Sequence, residues 1–281
     1  MKSFFLAAAV LFSAFSLQAQ YYYKDIVGTK ETSDLIKSYM KNKVRAVILS
    51  SYDGDNVKSD NLFVQQNFSS SSRILKTVTG TGADNAYTST VFTYADNDGN
   101  ITGTVDSTGV VVNTTTYNYD ASGNLSLVNI SSSDTTSNES EQHIWQWQNG
   151  KPVRMLRVKN KFDTTYVDFK LDEKGNLSEE TATHKRLASK PYFYYYNNDN
   201  QLTDIVRYNE RAKQLLPEYM FEYSSSNQVI QKITVPTNNS DYLIWRYLYN
   251  AQGLKIKEAV YNKKDKRNPL GKIEYQYSFD Q

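Results

Sequence analysis

The sequence predicts an all-β fold of antiparallel β-hairpin repeats, about 26 residues per unit, in a strongly curled or spiral sheet, with one short N-terminal helix. Three observations predict it. A turn position recurs at Ser72, Gly99, Gly123, Gly150, Gly175, Asn200, Asn227 and Gly253, spaced 24 to 27 residues apart, and all but Ser72 are Gly or Asn. Those are the residues that tolerate positive φ in tight turns. Ahead of the turns stand residue pairs two apart, almost all aromatic: Phe92 and Tyr94, Tyr117 and Tyr119, Trp145 and Trp147, Phe169 and Leu171, Tyr194 and Tyr196, Phe221 and Tyr223, Tyr247 and Tyr249. Two residues after six of the turns comes an aliphatic residue: Ile74, Ile101, Leu125, Leu177, Leu202 or Val229. Aromatics at i and i+2, then a turn, then alternating apolar residues, describe a hairpin with one buried face. A unit of this length holds two strands and two connections, so eight units give roughly sixteen strands.

Taken in order, the chain begins with one lysine, an apolar run from Phe4 to Phe15 and the small-residue sequence Leu17-Gln18-Ala19 before Gln20. This reads as a secretory signal peptide over residues 1–19. The run is too short to cross a bilayer as a helix, so no retained transmembrane helix is expected. Residues 20–51 follow as a helix and a first strand. Leu35, Ile36, Tyr39 and Met40 share one helical face between Lys24 and Lys43, with Ser33 or Thr32 as the candidate cap. Val44 to Ser51 reads as the strand. Lys37, Lys41, Lys43 and Arg45 make this stretch locally basic, which suits a solvated helix face. Residues 52–281 form the hairpin-repeat domain, with Ser131 to Glu141 and Asn262 to Pro269 as long loops.

Four of the units read Tyr117 to Val128 (YNYDASGNLSLV), Phe169 to Glu180 (FKLDEKGNLSEE), Tyr194 to Ile205 (YYYNNDNQLTDI) and Tyr247 to Glu258 (YLYNAQGLKIKE). They resemble the YD repeats of bacterial Rhs and teneurin-type proteins, whose core is Tyr-Asp-x-x-Gly-x-Leu. Tyr119, Asp120, Gly123 and Leu125 match that core; elsewhere the Asp is Asn197 or Asn250. The resemblance implies a β-sheet spiral that can form a hollow shell, and carbohydrate binding.

A flat sheet of this size would leave a wide aromatic face in water, so it has to cover itself. The paired aromatics are expected inside, with Lys, Glu, Asn and Ser outside. An outer-membrane β-barrel is the rival topology, since it also combines a leader, an even strand number and aromatic girdles. Against it, Val153 to Phe162 and Ile205 to Gln214 carry charges on both faces.

Composition excludes several chemistries. With no cysteine, the 281-residue chain has no disulfide, thiolate zinc site or cysteine nucleophile. Its 32 Lys plus Arg against 30 Asp plus Glu give no bulk attraction to nucleic acid. Gly80-Thr81-Gly82 lacks the third glycine of a dinucleotide motif, and His143 and His184 are the only imidazoles. Asp96, Asp98 and Asn100 read as turn formers, because the spacing does not fit a calcium loop. The carboxylate pairs Glu139 with Glu141 and Glu179 with Glu180 supply no fixed separation for hydrolysis. No catalytic, metal or cofactor site is therefore expected. Trp145, Trp147, Tyr194, Tyr196, Trp245 and Tyr247 are the densest aromatics, read first as core and second as a platform for sugar rings. Phe193, Tyr195 and Trp245 are taken as the opposite, exposed register, so the expected ligand-binding set is Phe193, Tyr195, Trp245, Trp145 and Trp147. The functional expectation is an exported, non-enzymatic binding protein of the periplasm, cell surface or exterior. Its expected partner is glycan or another cell-envelope component, with a structural shell as the alternative.

Overall fold

The repeat turns on a five-residue hydrogen-bond cycle. The Asp120 carboxylate accepts the N–H groups of Ser122 (2.8 Å) and Asn124 (2.9 Å). Gly123 N–H donates to the Asp120 carbonyl and Asp120 N–H to the Asn124 carbonyl. The same cycle recurs at Asp96–Asn100, Asp172–Asn176, Asn197–Gln201, Ser224–Gln228 and Asn250–Leu254. Its fourth residue sits at φ between +58° and +80°, which explains why only Gly or Asn occupies it. Asp, Asn or Ser is needed at the first position because a short side-chain oxygen must reach two N–H groups ahead of it.

A computed structural model describes residues 21–82, 86–134, 140–236 and 241–280. The leader expected over residues 1–19 lies outside them, as does Glu139. Helix α1 (Lys24–Lys41) precedes strands β1 (Val44–Asp53), β2 (Leu62–Ser69), β3 (Ile74–Thr81), β4 (Tyr87–Ala95), β5 (Ile101–Thr108) and β6 (Val111–Tyr119). There follow β7 (Leu125–Ser132), β8 (Ser140–Gln148), β9 (Lys151–Lys159), β10 (Asp163–Leu171), β11 (Leu177–His184), β12 (Leu187–Ala188) and β13 (Tyr192–Tyr196). The last are β14 (Leu202–Asn209), β15 (Gln214–Tyr223), β16 (Val229–Thr234), β17 (Leu243–Tyr249), β18 (Lys255–Asn262) and β19 (Gly271–Phe279).

Neighbouring strands pair antiparallel in chain order, and the two-residue β12 only flanks the end of β11, which goes on to pair with β13. β1 pairs with both β2 and β19. The sheet therefore closes, and the ring holds eighteen strands. This corrects the spiral or open curl expected from the sequence, and the count of about sixteen. The physical reason is the edge: a spiral leaves two rows of unpaired N–H and C=O groups, whereas the β1–β19 register from Val44↔Phe279 to Asp53↔Gly271 satisfies both.

Side chains alternate across the wall. Val47, Leu49, Val64, Gln66, Phe68, Leu75 and Thr77 are buried on the inner face, while Ile48, Phe63, Asn67 and Lys76 point out. The expected inner aromatic stripe holds from β6 round to β19. Phe92 and Tyr94 are the exception and face outward. Tyr94 stands five residues before Gly99 where Tyr119 stands four before Gly123, so Ala95 takes the inner place opposite Ile101. A slip of one residue reverses the face.

Inner tyrosines tie four of the units to the one before. Tyr119 Oη donates to the Ile101 carbonyl (2.8 Å), Tyr223 to Leu202 (2.8 Å), Tyr249 to Val229 (2.9 Å) and Tyr277 to Lys255 (2.7 Å). Trp147 Nε1 makes the equivalent bond to the Leu125 carbonyl (2.8 Å). The tyrosine of the repeat is thus a hydrogen-bond donor as well as apolar surface. Tyr249→Phe is expected to lower the unfolding free energy by about 1 kcal/mol in urea titration. Tyr195→Phe, on the outer face, should leave it unchanged.

Helix α1 runs across the inside of this ring. Ser33, expected as a cap, lies in mid-helix, and its Oγ accepts the Ile101 N–H on β5 (3.0 Å). Tyr39 Oη donates to Gln66 Oε1 on β2 (2.7 Å), and its ring meets Phe68 and Tyr277 edge-on. At the other end Asp25 reaches His143 on β8, Tyr22 and Tyr23 reach Glu180 on β11, and Tyr21 packs on Tyr219 of β15. Partners on strands all round the ring are accessible together only from inside it. Two buried clusters mark the ends of the span, one around Ile36, Tyr39, Val47 and Val64, the other around Trp145, Met155, Val167 and Ile205. Eighteen residues of helix extend about 27 Å, and a circular ring of eighteen tilted strands would be about 35 Å across. The helix lies near the mouth that carries the repeat turns. Lys37 Nζ donates to Asn100 Oδ1 (2.8 Å) in one of them; Lys37 and Lys41 lie on the expected solvated helix face, together with Lys30 and Asp34, whereas Lys43 and Arg45 fall beyond the helix.

Candidate functional site

Two regions inside the barrel concentrate polar chemistry. The first is the anchor of the helix N-terminus. Glu180, 2% exposed, accepts the N–H groups of Tyr22 (2.7 Å) and Tyr23 (2.9 Å) and the Tyr194 hydroxyl (2.8 Å). The amino end of a helix has orphan N–H donors, and the barrel wall supplies their acceptor. Burial pushes the Glu180 carboxyl up to about 7, against the pull of those three hydrogen bonds. Beside it, His143 Nδ1 lies 2.5 Å from Asp25 Oδ2 and Nε2 lies 2.7 Å from Glu141 Oε1, and Arg157 caps the other Glu141 oxygen at 2.5 Å. Burial would lower the His143 pKa, but the charge and hydrogen bonds of Asp25 and Glu141 outweigh it and raise it to about 9. Burial likewise opposes ionisation of Glu141, yet the His143 and Arg157 bonds hold its carboxyl down at about 2.

An aspartate–histidine pair with a second carboxylate invites a catalytic reading. His143 is only 2% exposed, however, and both ring nitrogens are engaged by carboxylates, so neither is open to a substrate. The constellation ties the helix to the wall. Among the described residues no group of three or more His, Cys, Asp or Glu side chains is placed to hold a metal.

The second region is the inner wall of β15, β16 and β17. The rows Tyr219↔Thr234↔Leu243 and Phe221↔Lys232↔Trp245 run on to Asn262 and Val260, and Tyr247↔Glu258 is the next inward pair. None of Tyr219, Phe221, Tyr223, Lys232, Thr234, Leu243, Trp245, Tyr247 and Tyr249 is fully buried. On the opposite arc the equivalent Trp145, Met155, Val167, Phe169, Tyr192 and Tyr194 are. Lys232 Nζ lies 5.2 Å from the Tyr219 ring centroid and 5.7 Å from that of Phe221, and Lys255 Nζ lies 4.5 Å from that of Tyr247. These are cation–π distances. Glu31 on α1 completes the wall. It is exposed to water, and desolvation by the surrounding protein raises its carboxyl pKa against the pull of Lys232 and Lys255. Burial lowers the pKa of Lys232, with Glu31 opposing.

The residues expected from the sequence to bind a ligand fall in three places. Trp145, 4% exposed, stacks on Phe169 at 5.1 Å with rings 4° apart, and Trp147 is partly buried beside it. Phe193 and Tyr195 point outward, Tyr195 being 50% exposed. Trp245 belongs to the inner face, which corrects its assignment to the outward register: it shares the face of Tyr247 and stands opposite Lys232. Only Trp245 thus lies on the half-exposed wall. Sequence reading missed Tyr219, Phe221, Lys232 and Glu31. The repeat placed Phe221, but nothing local marks Tyr219 or the lysine and glutamate that face them.

No family model and no curated protein matches the chain. Among solved structures, a porin-like protein from Bacteroides uniformis ATCC 8492 aligns over 84% of this chain and 98% of its own, at 8% identity and TM-score 0.40. A porin-like protein from Bacteroides vulgatus ATCC 8482 does so over 84% and 98%, at 12% identity and TM-score 0.24. A chain of the Photorhabdus luminescens Tc holotoxin pore aligns with 78% of this chain at 13% identity and TM-score 0.33, and this chain spans 12% of that one. Scores of this size leave the barrel to rest on this chain's own strand pairing.

Proposed function

We propose that this protein is an exported, water-soluble β-barrel that works by binding rather than by catalysis, and that its open arc takes a sugar chain or another envelope component. The observation that carries the reading is the contrast inside the ring. Inner positions filled on the other arc by the buried Trp145, Phe169 and Tyr194 are only partly buried on β15 to β17, where Trp245, Tyr247, Phe221 and Tyr219 stand around Lys232. Flat rings beside a cation and a carboxylate suit a ligand with apolar ring faces and a hydroxyl rim. The likeness of the turns and inner tyrosines to YD repeats agrees with that class of partner.

The outer face supports solubility. Arg154 pairs with Asp168, Lys170 with Glu179 and Gln142 with Asn129 across neighbouring strands, and Lys272 with Glu274 along β19, all on outward positions. A lysine or arginine facing lipid at mid-bilayer costs about 2–4 kcal/mol. Closure into a ring is also the geometry of outer-membrane barrels, so fractionation separates the two readings. The mature protein is expected in the soluble fraction without detergent; retention in the outer membrane after alkaline carbonate washing would establish the membrane reading.

Trp245 provides the binding test. Trp145 and Trp147 are packed on the other arc, so quenching of tryptophan emission by an oligosaccharide reports on Trp245. Binding is expected to fall at least about tenfold in Trp245→Ala, since stacked aromatics contribute more than 1 kcal/mol at such contacts, while far-ultraviolet circular dichroism is unchanged. A variant that unfolds, with no ligand found for the wild type, would make the barrel a structural shell.

A further inference from the structure

The outer wall carries a groove of about 760 Å³ over the seam where the ring closes, across β19, β1, β2 and β3. Its lining includes Arg45 and Lys76, the amides Gln65, Asn67 and Gln276, and the apolar Ile48, which is 44% exposed. No carboxylate lines it. The nearest along this strand are Glu274, which Lys272 engages at 2.6 Å, and Asp280, which follows β19 two residues beyond Ser278 and whose N–H donates to the Lys43 carbonyl. Elsewhere on the outside cations meet carboxylates, as in Arg154–Asp168, Lys170–Glu179 and Lys190–Glu210. Arg45 and Lys76 have no ion-pair partner among the described residues; Lys76 meets only the Phe92 ring, at 5.7 Å.

The register fixes the spacing. Ser278, Ala46, Asn67 and Lys76 form one row across four strands, and Gln276, Ile48 and Gln65 form the next. Arg45 sits at the irregularity between Val44 and Ala46, beside the first row and two strands from Lys76. That separation is about 10 Å. Two unpaired cations at the ends, amides between them and apolar side chains along the floor, Ile48 and Ile74 among them, suit a chain that carries an anionic group at intervals, hydroxyls along its edge and an apolar face. We propose that this groove binds an acidic polysaccharide, a polymer of uronic-acid type, with Arg45 and Lys76 on its carboxylates and Gln65, Asn67 and Gln276 on its hydroxyls. The site is on the outside of the wall and separate from the inner arc, so it stands or falls independently of the ligand proposed there.

The test is calorimetric titration of the mature chain with hexagalacturonate, with cellohexaose as the neutral probe and a short polyphosphate as the non-sugar polyanion. Saturable binding of hexagalacturonate is expected, weakening as salt rises. Arg45→Gln/Lys76→Gln should lower affinity at least about tenfold, because it removes two charge-assisted hydrogen bonds, with an unchanged circular dichroism spectrum. Gln65→Ala/Gln276→Ala should weaken hexagalacturonate binding without affecting polyphosphate. Absence of binding, equal binding by the Arg45→Gln/Lys76→Gln variant, or polyphosphate binding as tightly as the sugar would each overturn the proposal. Quenching of Trp245 by the same sugar in the Arg45→Gln/Lys76→Gln variant would assign it to the inner arc instead.

Discussion

Replacing His143 by alanine is expected to lower the unfolding free energy by about 3–5 kcal/mol, the largest effect of any single polar substitution in this barrel. The imidazole joins Asp25 of the helix to Glu141 of the wall, and removing it leaves two partly buried carboxylates facing each other across the space it filled. Arg157 still holds one Glu141 oxygen, but Asp25 loses this counter-ion. The helix end should therefore release before the barrel unfolds. Chemical denaturation followed by circular dichroism gives the free energy, and amide exchange at residues 24–30 gives the location. Unchanged protection of that segment in His143→Ala would contradict the anchoring role.

The second large effect is alkaline weakening. His143 is raised from 6.5 to about 9, so its contribution is complete below pH 6.5 and disappears as pH rises through 9; a shift of this size corresponds to about 3 kcal/mol. Glu180 is raised from 4.5 to about 7, so the folded state holds its proton more firmly, and that stability is lost as pH rises from 4.5 through 7. Glu141 has the opposite sign: its contribution is present above pH 4.5 and is lost only as pH falls towards 2. Stability is expected to peak at about pH 4.5, where the gain from Glu141 and the loss from Glu180 balance, and to fall in two steps towards pH 9. Urea midpoints at unit pH intervals would show both steps, and Glu180→Gln should remove the lower one while leaving the upper. A flat profile from pH 6 to 9 would refute the burial of these groups.

Much of the wall was legible because it is local. The Asp120 to Asn124 cycle is encoded within five residues, and the periodicity of such turns gives the hairpins directly. Tyr94 shows the limit, since its single extra residue before Gly99 reversed the face of a strand whose composition looks like its neighbours'. Trp245 shows another: beside Phe193 and Tyr195 it resembled an outward ring, and only pairing with Lys232 fixes its side. Closure and the helix's place inside the ring left no local trace. Asp25 and His143 are 118 residues apart, and Tyr22 and Glu180 are 158 apart. Glu180 in particular reads as half of an exposed Glu-Glu pair, and becomes a helix anchor only because strand alternation sends it inward and Glu179 outward.

Ring closure is the premise of the interior, the helix span and the covered edges alike, and a chain without cysteine lets it be tested cleanly. Ile48 and Gln276 are Cα partners across β1 and β19, and both point outward. Paired residues of antiparallel strands have Cα atoms about 4.5–5.5 Å apart, within the span a disulfide bridges. In Ile48→Cys/Gln276→Cys, mild oxidation is expected to form one intramolecular disulfide, detected by mass spectrometry as a crosslink between the first and last strands with an unchanged circular dichroism spectrum. Two thiols that remain free to alkylate in the folded monomer would mean that the sheet is open.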